Sequence, residues 1–218
     1  MHNSVLNLID IKNKLNVSIK ENQKKPEIIA VSKTFSLEKI IPLLDYGHKN
    51  FGENKIQEAL SKWSEVKNNY QDLKLHMLGK VQTNKVKFLI PLFDYLHSLD
   101  NLKLAEKISK EEIKKNKKIK IFIQVNLGEE EQKNGISLKN LENFYKECKI
   151  NLNLDIVGLM CLPPKEGEPE KFFEQLKEYS IRYDLSELSM GMSNDFDIAS
   201  KCGSTFIRIG TKIFGSRI

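Results

Sequence analysis

The chain has 218 residues, 40% of them apolar, enough for one large α/β domain or two small ones. Lysine and arginine number 35 against 29 aspartates and glutamates, a net charge of +6; the lysines are scattered over predicted helix faces, and the densest cluster, residues 107–120, has no interleaved aromatics, which argues against a nucleic-acid groove. No stretch approaches the roughly 18 apolar residues that span a bilayer, and the opening MHNSVLNLIDIKNKL lacks the apolar core of a signal peptide, so no membrane partner and a cytoplasmic location are expected.

A first helix is predicted over residues 5–20, where Val5, Leu8, Leu15 and Ile19 recur at helical spacing. The next stretch, EIIAVSKT at 27–34, organises the rest. Its apolar run from Ile28 to Val31 suits a strand buried on both faces, as in parallel sheets covered by helices. Alternation puts Ile29, Val31 and Lys33 on one face, with the lysine at the rim of a buried core, where desolvation favours a nucleophilic amine. An ordinary surface lysine at a strand end is the competing reading of this stretch.

Ser36 can cap a helix that Gly47 stops, and FGENKIQEAL reads as a brief strand followed by a helix to about residue 66. LKLHML at 73–78 is a third strand, and residues 83–90 a short helix that Pro91 ends. FDYLHSL at 93–99 and IKIFIQV at 119–125 are strands, separated by an amphipathic helix over 101–115. A helix over 137–148 leads to the strand LDIVGLM at 154–160. Then come a helix over 170–181, a strand over 185–190, a short helix over 194–201 and the strand TFIRI at 205–209. Cys148, Cys161 and Cys202 have no CxxC spacing, and His2, His48, His76 and His97 are dispersed, so neither a disulfide framework nor a metal set is expected.

Eight strands alternating with helices, without repeats or a linker, imply parallel strands joined by right-handed crossovers. In about 220 residues this suits a single (β/α)8 TIM barrel covering 1–218. An open doubly wound sheet is the competitor, but the GxGxxG turn it favours is absent.

In such a barrel the working face lies at the strand carboxyl ends, with phosphate commonly held after strands seven and eight. After strand seven comes Ser189-Met190-Gly191-Met192-Ser193-Asn194, with Ser193 placed to cap the short helix; after strand eight, Gly210 lets the backbone approach a ligand and Thr211 offers a hydroxyl. An ordinary helix cap and an ordinary turn are the alternatives. Alternation in TFIRI puts Phe206, Arg208 and Gly210 on one face, and an arginine within an apolar strand requires a partner or a ligand. A strand-end lysine, a buried cation and a phosphate cradle together describe a pyridoxal 5'-phosphate (PLP) pocket with a Schiff base on Lys33.

AVSKT around Lys33, FGENKIQE at 51–58, HMLGKVQTNK at 76–85, GLM at 158–160, LSMGMSNDF at 188–196 and IRIGTKIFGSR at 207–217 resemble the YggS/PROSC family of pyridoxal phosphate homeostasis proteins, in order and over nearly the whole chain. The resemblance implies a barrel like the N-terminal domain of alanine racemase and cofactor attachment at Lys33. It further implies phosphate contacts from Ser193, Gly210 and Thr211, Arg208 at the pyridine nitrogen, and pocket positions at Asn54 and Met192.

An arginine at the ring nitrogen would leave that nitrogen unprotonated and weaken carbanion stabilisation. The second base of a racemase, a tyrosine from an appended β-domain, has no counterpart here, and Leu162 stands where such racemases carry a histidine after GLM. The expectation is therefore a monomeric, non-catalytic PLP carrier that buffers the aldehyde and delivers it to PLP-dependent apoenzymes. A PLP-dependent racemase and a Schiff-base aldolase without PLP are the alternatives.

Overall fold

The computed structural model describes every residue except 20–22, 71, 129–133, 165, 217 and 218. Lys20, the end of the first predicted helix, and Arg217, the end of the last motif, lie outside the described residues. The strands are β1 (Glu27–Val31), β2 (Asn50–Glu53), β3 (Lys74–Met77), β4 (Tyr95–Leu99), β5 (Lys120–Asn126), β6 (Ile136–Ser137), β7 (Ile156–Cys161), β8 (Glu187–Met192) and β9 (Phe206–Ile209). The helices are α1 (Asn3–Ser18), α2 (Leu37–Asp45), α3 (Ile56–Trp63), α4 (Val86–Leu92), α5 (Leu102–Lys115), α6 (Leu138–Lys146), α7 (Pro169–Arg182), α8 (Phe196–Lys201) and α9 (Thr211–Phe214).

All strand pairings are parallel, in the order β4-β3-β2-β1-β9-β8-β7-β5, and β4 pairs with β5 to close the cylinder. This is the expected (β/α)8 barrel. The two-residue β6 adds only to β5, with Val125 opposite Ile136; so short a pairing leaves no periodic trace in a sequence.

Alternation along each strand divides the core into two layers. Ile28 and Ala30 join the apolar layer between strands and helices, with Ile40, Leu43 and Trp63. Ile29 points inward to Phe122, Met160 and Phe206, which fill the cylinder. Burying each such large side chain stabilises by about 1.5–3 kcal/mol.

Of the helix limits that differ from expectation, two have a clear local cause. α4 runs past Pro91 to Leu92, because the donor that proline lacks falls in the final turn, which closes through the Phe93 amide on the Leu89 carbonyl at 2.9 Å. α6 stops at Lys146 and winds on as a π-turn over Glu147–Asn151, which places Cys148 in the core. Among the described residues, no helix is long and apolar enough to cross a membrane.

Candidate cofactor-binding site

A cavity of about 670 Å³ opens at the carboxyl ends of the strands, and Lys33, Asn54, Met192, Ser193, Arg208, Gly210 and Thr211 all line it. The ends of four strands, β1, β2, β8 and β9, and the segments that follow them deliver these residues, so only the closed barrel brings them together. A second cavity, about 630 Å³, lies at the opposite end, where Glu27, Asn50 and Lys74 begin their strands.

Lys33 stands two residues beyond β1, in a tight turn in which the Phe35 amide donates to the Ser32 carbonyl at 3.1 Å. Thr34, in the third position, has φ 68°, the left-handed region that a β-branched residue rarely enters. Its amide donates to the Glu58 carboxylate, which holds the strained turn in place. Burial pushes the Glu58 carboxyl up, but the Thr34 amide and Lys62 outweigh it and leave it below its ordinary value.

Beneath the turn lies a buried polar cluster. Glu53 Oε1 accepts from Ser32 Oγ (2.7 Å), Lys62 Nζ (2.9 Å) and Trp63 Nε1 (3.0 Å), and Lys62 Nζ also donates to the Ser32 carbonyl (2.9 Å). Sequence reading missed this support. Its signal was a glutamate at the end of a buried strand with a lysine and a tryptophan one helix later.

On the far side, Gly191 has φ 90°, and an added Cβ would meet Ala199 Cβ at 2.5 Å, so β8 requires glycine where it bends into the loop. The expected cap at Ser193 is not formed. α8 begins at Phe196, and Asp195 instead reaches back to accept from the Met192 amide at 2.6 Å while its own amide donates to the Met192 carbonyl at 3.2 Å, which closes the loop. This frees Ser193 for the cavity, where its Oγ accepts from Thr211 Oγ1 at 3.2 Å and keeps its own hydrogen for a ligand. Gly210 has an ordinary φ of −111°, and an added Cβ would meet Val31 at 3.5 Å, so the missing side chain leaves open cavity between two lining residues.

Arg208 forms the floor. It is buried, donating through Nη1 to Ser189 Oγ (2.7 Å) and through Nη2 to the Cys161 carbonyl (2.9 Å). Burial lowers its pKa from the ordinary value, against the pull of Cys161 and Asp195, yet a guanidinium starts so high that it stays charged. Its remaining N–H groups are available to an acceptor in the cavity.

The histidines are not all dispersed. His97 Nδ1 lies 2.8 Å from Ser189 Oγ, and His97 Nε2 lies 3.0 Å from His76 Nδ1, deep inside the barrel. Sequence reading missed this pair, although each ring sits on the inward phase of its strand, alternating with Leu75, Met77 and Leu96.

The donor set fits a phosphorylated aromatic aldehyde: an amine at Lys33, a pair of hydroxyls beside an open glycine, a fixed guanidinium, and apolar walls at Val31, Leu78 and Met160. The rim is open, with Met192 and Leu162 each about two-fifths exposed (40% and 43%).

The alanine racemase N-terminal domain family profile matches residues 6–218. The pyridoxal phosphate homeostasis protein of Aquifex aeolicus is 38% identical over 202 residues, covering 88% of this chain and 87% of its own. That of Haemophilus influenzae is 34% identical, covering 97% and 94%. Among solved structures, PipY of Synechococcus elongatus with PLP bound is 31% identical with a TM-score of 0.85, covering 97% of this chain and 100% of its own. An alanine racemase of Clostridium difficile, 16% identical with a TM-score of 0.71, shares the fold over 57% of its length. The barrel, its cavity and these matches together show that the chain belongs to the pyridoxal phosphate homeostasis proteins, within the alanine racemase N-terminal domain family.

Proposed function

We propose that this protein binds PLP at the strand-end cavity, holds it covalently and reversibly on Lys33, and serves cytoplasmic PLP homeostasis as a monomeric carrier without strong catalysis of its own. The observation that carries this reading is the convergence of Lys33, Arg208 and the Ser193–Gly210–Thr211 cradle on one cavity. The names of the relatives and the PLP-bound PipY support it.

PLP would supply an aldehyde that condenses reversibly with an amine and a ring that can act as an electron sink. Lys33 provides the amine, and the turn clamped by Glu58 and the Glu53 cluster orients it. Ser193 would donate its hydroxyl to the phosphate, as would Thr211 on turning its hydrogen away from Ser193, alongside backbone N–H groups around Gly210. Arg208 would donate to the ring nitrogen where a carboxylate would keep it protonated, which suits holding the group better than stabilising a carbanion. At the open rim, Leu162, Pro163 and Pro164 provide no acid or base for substrate chemistry, while water or a competing amine can enter and release the cargo to apoenzymes.

The test is the visible absorption of purified protein mixed with PLP, followed by borohydride reduction and peptide mapping. Pyridoxyl label on the Lys33 peptide, and loss of the band in Lys33→Ala, are expected. Label on another lysine, or steady racemisation of any amino acid, would overturn the reading.

A further inference from the structure

The interior of the barrel holds a continuous polar chain that the carrier role does not by itself require. From the opposite end, Glu27 Oε2 accepts from Asn50 Nδ2 at 3.2 Å, and a carboxylate can only accept. Asn50 therefore turns its Oδ1 to His76 Nε2, 3.0 Å away, and that nitrogen must carry the hydrogen. A neutral His76 then has a bare Nδ1, which accepts from His97 Nε2–H at 3.0 Å. His97 in turn has a bare Nδ1, which accepts the Ser189 hydroxyl at 2.8 Å. The Ser189 lone pairs are left facing Arg208 Nη1 at 2.7 Å. Every link fixes the direction of the next.

We propose that Ser189, His97 and His76 are positioning residues, a one-way hydrogen-bond relay that locks Arg208 as a fixed donor toward the cavity. The proposal rests on the PLP reading for what Arg208 meets, but the relay itself belongs to the ligand-free chain. A reversal would remove the acceptor that fixes the serine hydrogen and leave that hydroxyl free to turn toward the guanidinium.

The surroundings keep the relay in one state. His76 stacks on Tyr95 at 4.4 Å and His97 on Phe122 at 4.3 Å, with the Phe206 ring beside both, so neither imidazole can rotate without repacking. The neighbours acting on them all oppose a positive charge: His48, Lys67 and Lys74 on His76, and His76 and Arg208 on His97. Glu27, the nearest carboxylate along the chain, acts only through Asn50. Burial first, then these neighbours, push His76 down to about 3 and His97 well below its ordinary value, so both rings are neutral.

The first test needs no ligand. Two-bond proton–nitrogen spectra of 15N-histidine-labelled protein should show both rings as neutral Nε2–H tautomers between about pH 5 and 8, where an unperturbed ring would titrate. An imidazolium or an Nδ1–H tautomer at either ring would overturn the relay. In the second test, His97→Phe keeps a ring against Phe122 but deletes both hydrogen bonds. It should weaken PLP binding about tenfold and move the pH midpoint of the visible band, with His97→Gln closer to wild type. Ser189→Ala, which removes only a hydroxyl, should shift both readouts the same way and serves if His97→Phe does not fold. Wild-type affinity and midpoint in the folded variants would sink the proposal. Failure of the wild-type protein to bind PLP would instead sink the functional reading, with the ligand-free spectrum still deciding the relay.

Discussion

Lys62 Nζ and Glu53 Oε1 lie 2.9 Å apart with their side chains 8% and 0% exposed, a buried ion pair directly under the turn that carries Lys33. The same carboxylate oxygen serves Ser32 and Trp63, while Oε2 has no partner among the described residues. Removing the cation would leave a buried carboxylate without its charge partner. Lys62→Met should destabilise the fold by roughly 3–5 kcal/mol, read from urea unfolding, and should loosen PLP binding through the Ser32 carbonyl contact. A change below about 1 kcal/mol, the range of an exposed pair, would show that the pair is not shielded from water.

Thr34 stores strain beside Lys33. Left-handed backbone at a residue with a Cβ costs about 1–2 kcal/mol, offset for glycine by its greater freedom in the unfolded chain. Thr34→Gly should therefore raise stability by up to about 1 kcal/mol, seen as a higher urea midpoint at unchanged slope. A lower midpoint would mean that the threonine side chain contributes more than its backbone loses.

Acid sensitivity should come from imidazoles before carboxylates. Burial, aided by Lys12, lowers His48 to about 4; burial and neighbouring cations lower His76 to about 3, and His97 also lies well below its ordinary value. Between these values and about 6.5 the unfolded chain binds protons that the folded chain refuses, so stability rises with pH through that window and is constant above it. Lowering the pH from 6.5 to 4.5 should remove on the order of 5 kcal/mol, before Glu58, depressed below its ordinary carboxyl value, begins to lose its contacts. Thermal melts at fixed ionic strength that do not change over this interval would contradict the buried neutral histidines.

The cradle hydroxyls should act on affinity and not on folding. Ser193 is half-buried and Thr211 exposed, and each touches the other. Ser193→Ala and Thr211→Ala should each weaken PLP binding by about 1–3 kcal/mol, the range of a lost charge-assisted hydrogen bond, with melting temperatures nearly unchanged. Equal affinity for pyridoxal and its phosphate ester in the wild type would remove the cradle from the account.

Much of the barrel was legible in the chain because its strands are buried on both faces. Runs such as Ile28–Val31 and Ile121–Val125 stand out without reference to anything distant, and the inward phase of Arg208 followed from Phe206 two residues earlier. What local pattern could not reach was pairing across the cylinder. His76 and His97 are 21 residues apart, and nothing between them marks the contact. Ser193 looked like a helix cap because serine commonly is one, but Asp195 closes the loop and the hydroxyl turns to Thr211. Glu53 carried no local signal of its role, since its cation comes from the following helix.

Ile29 lies in register with Arg208 across the junction of β1 and β9, the strands of the cylinder farthest apart along the chain. A nascent chain on the ribosome therefore carries Lys33 long before it has a floor or a phosphate cradle to go with it. Until about residue 209 emerges, the sheet has two open edges that can pair with other chains. The joining contact spans nearly the whole polypeptide, the kind that forms slowly. The pocket proposed to take vitamin B6 is thus complete only once that seam has closed.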